Sequence, residues 1–508
     1  MWPEKMWKGL TLVAAVLATL PAAAASANLS RQDVHWLDRI TYGPTTATVD
    51  RYLKLGRRRF LDEQLHPPRN PQLPSGVVAQ IDALQITHSS GSDLLTYAVS
   101  EQKRINTLPD EDAKQAERKA FNDKANRPAY EAARLEILHA LYSPAQLEEQ
   151  VVWFWLNHFT IFRDKANERW LAADYAEHAI RPHALGHFRD LVMATLTHPA
   201  MLEYLDNAQN AGGHLNENYA RELMELHTLG VGSGYTQQDV QELARILTGV
   251  GVNASGNRPK LKPEWQNLYR QDGVFEFNPA RHDFGPKVLL GTHVEGSGFD
   301  EVERAVDLLV AQPACARFIS RKLAIYFVAD DPPKTLVDRM ARTFQKTHGD
   351  ITSVLETLFE SREFQASLGG KFKDPMHYVI STLRLAYDGK PIQNTHPVVN
   401  WLNALGEPLF GRPTPDGYPL TEAAWASSGQ LSRRFEIARA IGAGNAGLFD
   451  PEDGSVATNT GFPQLSTRLY FAALEPFLSA NARTALDNAS SQVEWNTFLL
   501  ASPDFNYR

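Results

Sequence analysis

Residues 143–159 read SPAQLEEQVVWFWLNHF. Ser143, Pro144 and Gln146 predict a helix start, with serine as N-cap, proline at the first position and a capping-box glutamine at the third. Leu147, Val151, Trp155, His158 and Phe162 then fall on one helical face, and the opposite face is apolar too. A helix that is apolar all round must lie inside a large protein. This segment therefore predicts a mainly α fold with a core thick enough to bury it. It also places Asn157 and His158 in that core, where each polar group needs a partner.

The same helical period extends on both sides. Residues 30–66 read as two helices broken at Gly43-Pro44, with Val49, Tyr52, Leu53, Phe60, Leu61 and Leu65 at helical spacing. Residues 101–134 carry dense mixed charge and read as a solvated helical excursion. Further helices are expected over 172–180, 187–197, 299–311, 315–327, 333–347 and 351–359. The exception is 275–291, where Phe275-Glu276-Phe277 alternates and Val288-Leu289-Leu290 is a short apolar run. A small β-hairpin or extended excursion fits there. The expected organisation is one large multi-helix domain over 28–508, with room for a C-terminal subdomain from about residue 370.

The first residues read as a leader rather than as fold. Lys5 and Lys8 precede an apolar run over 9–20, and Ala25-Ser26-Ala27 is a small-x-small cleavage pattern. The expectation is a signal peptide over 1–27 and an exported chain, periplasmic or secreted. The sequence carries a net charge of −8, and the leader's Glu4, Lys5 and Lys8 contribute +1, which leaves −9. That balance argues against nonspecific nucleic-acid binding. No later stretch is apolar enough to span a bilayer. The lone cysteine, Cys315, has no internal partner and sits among Ala314, Ala316 and Phe318, as a small core residue would.

Chemistry concentrates in residues 213–250, GHLNENYARELMELHTLGVGSGYTQQDVQELARILTGV. Two helices are expected, the first capped by Asn216 and closed by Gly230, the second opened by Thr236 with Asp239 and closed by Gly249. Glu217, Arg221 and Glu225 stand at i, i+4 and i+8, the spacing of a salt-bridge ladder. Glu222, Glu225 and His227 are the candidate ligands for a divalent metal, although Glu225 and His227 cannot share a face of a regular helix. Structural ion pairing explains the same residues without a metal. A second candidate is the loop 281–287, where His282, Asp283 and Lys287 lie on a tight turn. The third is Asn157-His158. The Glu-x-x-His pattern of di-iron bundles occurs at Glu63–His66 and Glu136–His139, outside the cluster. HExxH, GxSxG, P-loop and CxxC patterns are absent from the sequence.

These motifs together resemble the bacterial DUF1800 family. The resemblance rests on residues 40–44 (ITYGP), 154–159 (FWLNHF), 198–201 (HPAM), 215–230, 235–249, His282-Asp283-x-Gly285-x-Lys287, 318–327 and 408–419. One departure is Val250, where a tryptophan is expected after Thr248-Gly249. The resemblance implies an exported, mainly helical protein without an assigned reaction or catalytic set. It also implies association with an exported DUF1501-type protein. The functional expectation is a polar pocket formed by Asn157, His158, Glu222, Glu225, His227, His282, Asp283 and Lys287. In that pocket a glutamate would act as general base or cation ligand, His158 or His282 would shuttle a proton, and Lys287 would hold an anionic group. Such a pocket would suit a metal-assisted hydrolase or transferase acting on envelope material. The alternative is a non-catalytic scaffold or binding partner of another exported protein.

Overall fold

The computed structural model describes residues 29–452, 454–456 and 461–508. The leader expected over 1–27 lies outside the described residues. Helices dominate the rest, and strands occur only in two small antiparallel sheets, so the mainly α expectation holds. Among the described residues no helix is long and apolar enough to cross a membrane.

The apolar segment forms the helix Gln146–His158, and nearly all its residues are buried. It starts later than expected. Ser143 instead ends the preceding long helix Glu111–Tyr142. Gln146 makes no capping box, because its side-chain amide donates to the carbonyls of Ala140 and Ser143 and its oxygen accepts from Tyr42 N–H. A glutamine that ties three segments together has no atoms left for the helix start.

One continuous apolar core runs from Leu29 to Phe505 and holds Trp36, Trp155, Phe159, Tyr326 and Tyr378 at its centre. It continues through the helix Pro375–Tyr387, which packs on both Glu111–Tyr142 and Ser428–Gly442. The charged stretch expected over 101–134 covers the end of Gly91–Asn106, a helix that buries Leu95, Ala98 and Ile105, and the exposed first half of Glu111–Tyr142; beyond Ala125 the expectation of a solvated helix fails, because the long helix turns apolar and enters the core.

Near residues 275–291 the extended expectation is met by two separate pieces. Phe275–Phe277 is the central strand between Val250–Val252 and Arg270–Asp272. Lys287–Leu289 pairs with Thr292–Val294 across Leu290-Gly291, both at positive φ, as a tight right-twisted hairpin demands. Two helices contain a π-turn, Tyr175–Ile180 and Leu223–Thr228. Such insertions re-aim side chains and recur at functional sites. Here each lies beside a cluster of titratable groups.

Candidate functional site

The buried helix delivers His158 in its last turn, inside a ring of Trp155, Phe159, Phe188 and Phe318. Its Nε2 lies 3.0 Å from the carbonyl oxygen of His227, and its Nδ1 lies 2.8 Å from Lys322 Nζ. A carbonyl only accepts, so Nε2 carries the proton and Nδ1 accepts from the amine. Lys322 comes from the helix Pro313–Phe327. Burial pushes this lysine down to about 8, and Asp416 works in the opposite direction. Burial, with Lys322 next in order, also holds His158 well below the ordinary histidine range.

The first helix of the sequence cluster is not regular. Asn218–Glu222 is α-helical, and Leu223–Thr228 continues it as a π-turn. Thr228 Oγ1 donates to Leu223 O at 2.6 Å, and Leu229 N–H reaches back to Met224 O. The helix begins after Glu217, and Asn216 caps it from one residue further out, accepting from Asn218 N–H. The ladder forms as expected, with Arg221 bridging Glu217 at 3.1 Å and Glu225 at 3.5 Å. Beyond it the wider turn swings His227 into the core. That ring is 0% exposed, and neither nitrogen has a hydrogen-bond partner. It stands 5.9 Å from the His158 ring and 5.0 Å from Phe159, and burial pushes it down to about 3. Gly230, at positive φ, closes the turn against Phe318. Glu222 remains half-buried, raised first by burial and then by Glu225.

A loop from the C-terminal third completes this centre. Asn157 holds it, donating to Tyr418 O at 3.0 Å and accepting from Tyr418 N–H at 2.5 Å. Gly417 packs so tightly on Asn157, at a φ of +75°, that a Cβ would collide with the Asn157 carbonyl. The neighbouring Asp416 accepts from Arg412 and Thr414 and bears electrostatically on Lys322, Glu222 and Tyr204. The arrangement joins a depressed amine, two buried neutral imidazoles and two carboxyl groups. A family model described as "Protein of unknown function (DUF1800)" matches residues 35–507. The chain belongs to the DUF1800 family. No curated protein and no solved structure matches it.

In this DUF1800 chain the second candidate loop forms a separate network. His282 Nε2 lies 2.8 Å from Glu301 Oε1 and Lys287 Nζ 2.5 Å from Glu301 Oε2, with all three side chains 0% exposed. His282 Nδ1 meets Thr248 O at 2.7 Å, and Lys287 also reaches Asp283 O. Asp283 pairs with Arg245 at 2.8 Å, which also bridges Glu242. Among the described residues no hydrogen bond, ion pair or ring contact joins this network to His158, Glu222, Glu225 or His227. Its polar atoms are satisfied internally, and it pins the hairpin to the helix Phe299–Val310. Glu301, absent from the sequence candidates, is its hub and also caps that helix through Gly298 N–H.

Of the eight residues expected to share one pocket, the DUF1800 fold therefore gathers Asn157, His158 and His227, with Glu222 and Glu225 along the adjoining helix. It adds Lys322 and Asp416, which sequence reading missed. The available signal for Lys322 was its place one turn after Phe318 and just before the apolar run over 323–327. Among the described residues, no group of three or more His, Cys, Asp or Glu is gathered as a metal site.

A third constellation was not singled out by the sequence. The other π-turn leads into Arg181, whose guanidinium meets Glu149 at 2.6 Å, Glu177 at 2.9 Å and Glu136 at 3.1 Å. His139 stands 3.6 Å from Glu149. Glu149 and Arg181 face a cavity of about 940 Å³. Arg181 and His139 hold Glu149 down at about 2 against the effect of burial, while burial raises Glu136 to about 7. The Glu136–His139 pair of the Glu-x-x-His pattern is thus part of an arginine-centred ion network.

Proposed function

We propose that this DUF1800 protein is an exported acid–base enzyme, a hydrolase or transferase acting on envelope material, with Lys322 as its general base. The observation that carries this reading is the 2.8 Å contact between Lys322 Nζ and His158 Nδ1 in a site where burial pushes the amine down to about 8. At neutral pH roughly a tenth of such lysines are uncharged, against fewer than about one in a thousand for an ordinary lysine. A neutral amine keeps one lone pair. One of its N–H bonds is given to His158, which confines that lone pair to the two remaining tetrahedral directions. His158 is fixed in turn by the His227 carbonyl. When Lys322 takes a proton from water or a hydroxyl nucleophile, Asp416 stabilises the new charge. Glu222, raised by burial, supplies a proton to the leaving group. The export part of the proposal rests on the leader-like residues 1–27.

The test is product release. Isolated envelope glycans and peptidoglycan are incubated with the purified mature protein, and soluble products are read by mass spectrometry. Wild-type protein should release material that Lys322→Met does not. Equal release by both would remove Lys322 from the chemistry.

A second reading, a scaffold for another exported protein such as a DUF1501-type partner, draws on one observation. Leu431 and Phe435 stand one turn apart on the helix Ser428–Gly442 and are 43% and 44% exposed. An apolar pair on a helix surface suits a partner contact. Co-purification abolished by Phe435→Glu but retained by Lys322→Met would favour it.

A further inference from the structure

A smaller cavity, of about 280 Å³, lies between the helix Arg31–Ile40, the helix Pro375–Tyr387 and the C-terminal helices Arg468–Ala473 and Gln492–Ala501. Its lining includes no residue of the Lys322 centre. Leu385, Leu474, Phe477, Leu478 and Leu499 make most of its wall apolar. Arg31, Ser479 and Pro503 are exposed and mark its mouth, whereas Leu499 and Ala473 are sealed from solvent. The volume stands at the lower end of small-molecule sites, which suits a ligand with one short chain.

One charged pair interrupts the apolar wall. Lys373 Nζ stands 3.2 Å from Asp38 Oδ2 and 4.1 Å from the centre of the Phe505 ring, with the lysine side chain 2% exposed and the aspartate 13%. An ammonium has three N–H bonds and a carboxylate has lone pairs on two oxygens, so this contact leaves both groups with capacity to spare. The other ionisable groups of the lining are engaged elsewhere. Asp504 accepts from Ser479 N–H at 3.1 Å and from the Ser479 hydroxyl at 2.8 Å. Tyr507 donates to Glu422 Oε1 at 2.7 Å. Arg31 Nε, at the mouth, meets His35 Nε2 at 3.4 Å, and burial, opposed by Asp38, holds that histidine below its ordinary range. Two cations, Arg31 and Lys373, thus face two carboxylates, Asp38 and Asp504, with His35 neutral. A further net charge would find no counter-ion among these apolar walls, and an unpaired charge there is costly.

We infer that this cavity binds an uncharged amphiphile, a short aliphatic chain with a hydroxyl-bearing head, the head on Asp38 and Lys373 and the chain among Leu474, Phe477 and Leu478. A hydroxyl both donates and accepts. A vicinal diol can give one hydrogen bond to the carboxylate and take one from the ammonium without upsetting their charge balance. A carboxylate head would repel Asp38, and an ammonium head would repel Lys373.

Isothermal titration of the full chain with octane-1,2-diol tests this. Saturable binding is expected. Octanoate and octylammonium, which share the chain but carry a charge, should bind about tenfold more weakly or worse, and ethylene glycol, the head without the chain, should not bind. Removing one member of the ion pair strands the other's charge, so both are changed together. Asp38→Leu combined with Lys373→Met should fold and should weaken the diol about tenfold or more, the scale of hydrogen bonds lost from charged groups. Phe477→Asp, at a partly buried position, keeps the pair and should abolish binding by setting a carboxylate against the chain. No saturable binding, a charged analogue or ethylene glycol bound as tightly as the diol, or an affinity unchanged by the double variant or by Phe477→Asp would each overturn the proposal.

Discussion

Lys322 Nζ stands 2.8 Å from His158 Nδ1, and the opposite nitrogen of that ring donates to the His227 carbonyl at 3.0 Å. Three segments far apart in sequence thereby orient one amine. Burying a lysine whose nearest hydrogen-bond partner is neutral disfavours its charged form. The fold retains it, which is the pattern of a group kept for chemistry rather than for stability.

Lys322→Met should separate those two roles. Activity on the envelope substrate should fall about 10²–10⁴-fold, the usual worth of a general base. Stability should hold or rise. The folded-state value is depressed from 10.5 to about 8, so between those values the folded chain binds fewer protons than the unfolded one, and wild-type stability grows as pH rises through that window. Denaturant unfolding from pH 7.5 to 10 should show this rise in wild type and its reduction in Lys322→Met. A variant that loses several kcal/mol at pH 7.5 would mark Lys322 as structural.

His227 should respond to acid. Its ring is neutral and unpartnered, with a folded value near 3 against an ordinary 6.5. A depressed histidine contributes stability that is complete above the unfolded value and is lost as pH falls toward the folded one. His227→Phe removes that titration and no hydrogen bond. It should cost under about 1.5 kcal/mol at pH 7.5, as a volume-matched core swap. Relative to wild type it should gain about 1.4 kcal/mol per pH unit below about pH 6. Parallel unfolding curves from pH 7 to 5 would count against a buried neutral His227.

The Glu301 network should behave as a structural brace. Glu301→Gln leaves Lys287 buried without its carboxylate partner, and breaking such a pair costs about 3–5 kcal/mol. The same change should leave the ionisation of Lys322 unmoved, since no contact links the two networks. Thermal unfolding together with a lysine titration distinguishes this from a catalytic role.

Asn157→Ala should loosen the 406–420 loop. Two hydrogen bonds to Tyr418 disappear, at about 1–3 kcal/mol for the groups left unsatisfied. Hydrogen exchange at Tyr418 N–H should accelerate, and activity should fall as Asp416 loses its position. Unchanged exchange would show that Gly417 packing alone holds the loop.

Much of this was legible in residues 143–159 and 213–250. Helical period, the Thr236–Asp239 capping box, the Arg221 ladder and the glycine at 230 follow from local spacing, and local spacing is what a sequence displays directly. The π-turn was not legible, because a regular helix and one with an inserted residue share the same apolar pattern until the far side is packed. For that reason the sequence could not turn His227 inward away from Glu225. Lys322, Asp416 and Glu301 were missed for another reason. Each becomes informative only through a partner more than a dozen residues away, and Lys287 occupied the role of candidate cation because it sat near a histidine in the chain. The Arg181 network likewise assembles from separate helices.

The most direct test is the ionisation of Lys322 itself. Lysine side chains labelled with ¹⁵N are titrated by NMR from pH 6 to 11, and the Lys322 signal is assigned by its loss in Lys322→Arg. A midpoint near 8, falling further in Asp416→Asn as the carboxylate that opposes burial is removed, supports Lys322 as the base. A midpoint at the ordinary lysine value of about 10.4 would contradict it.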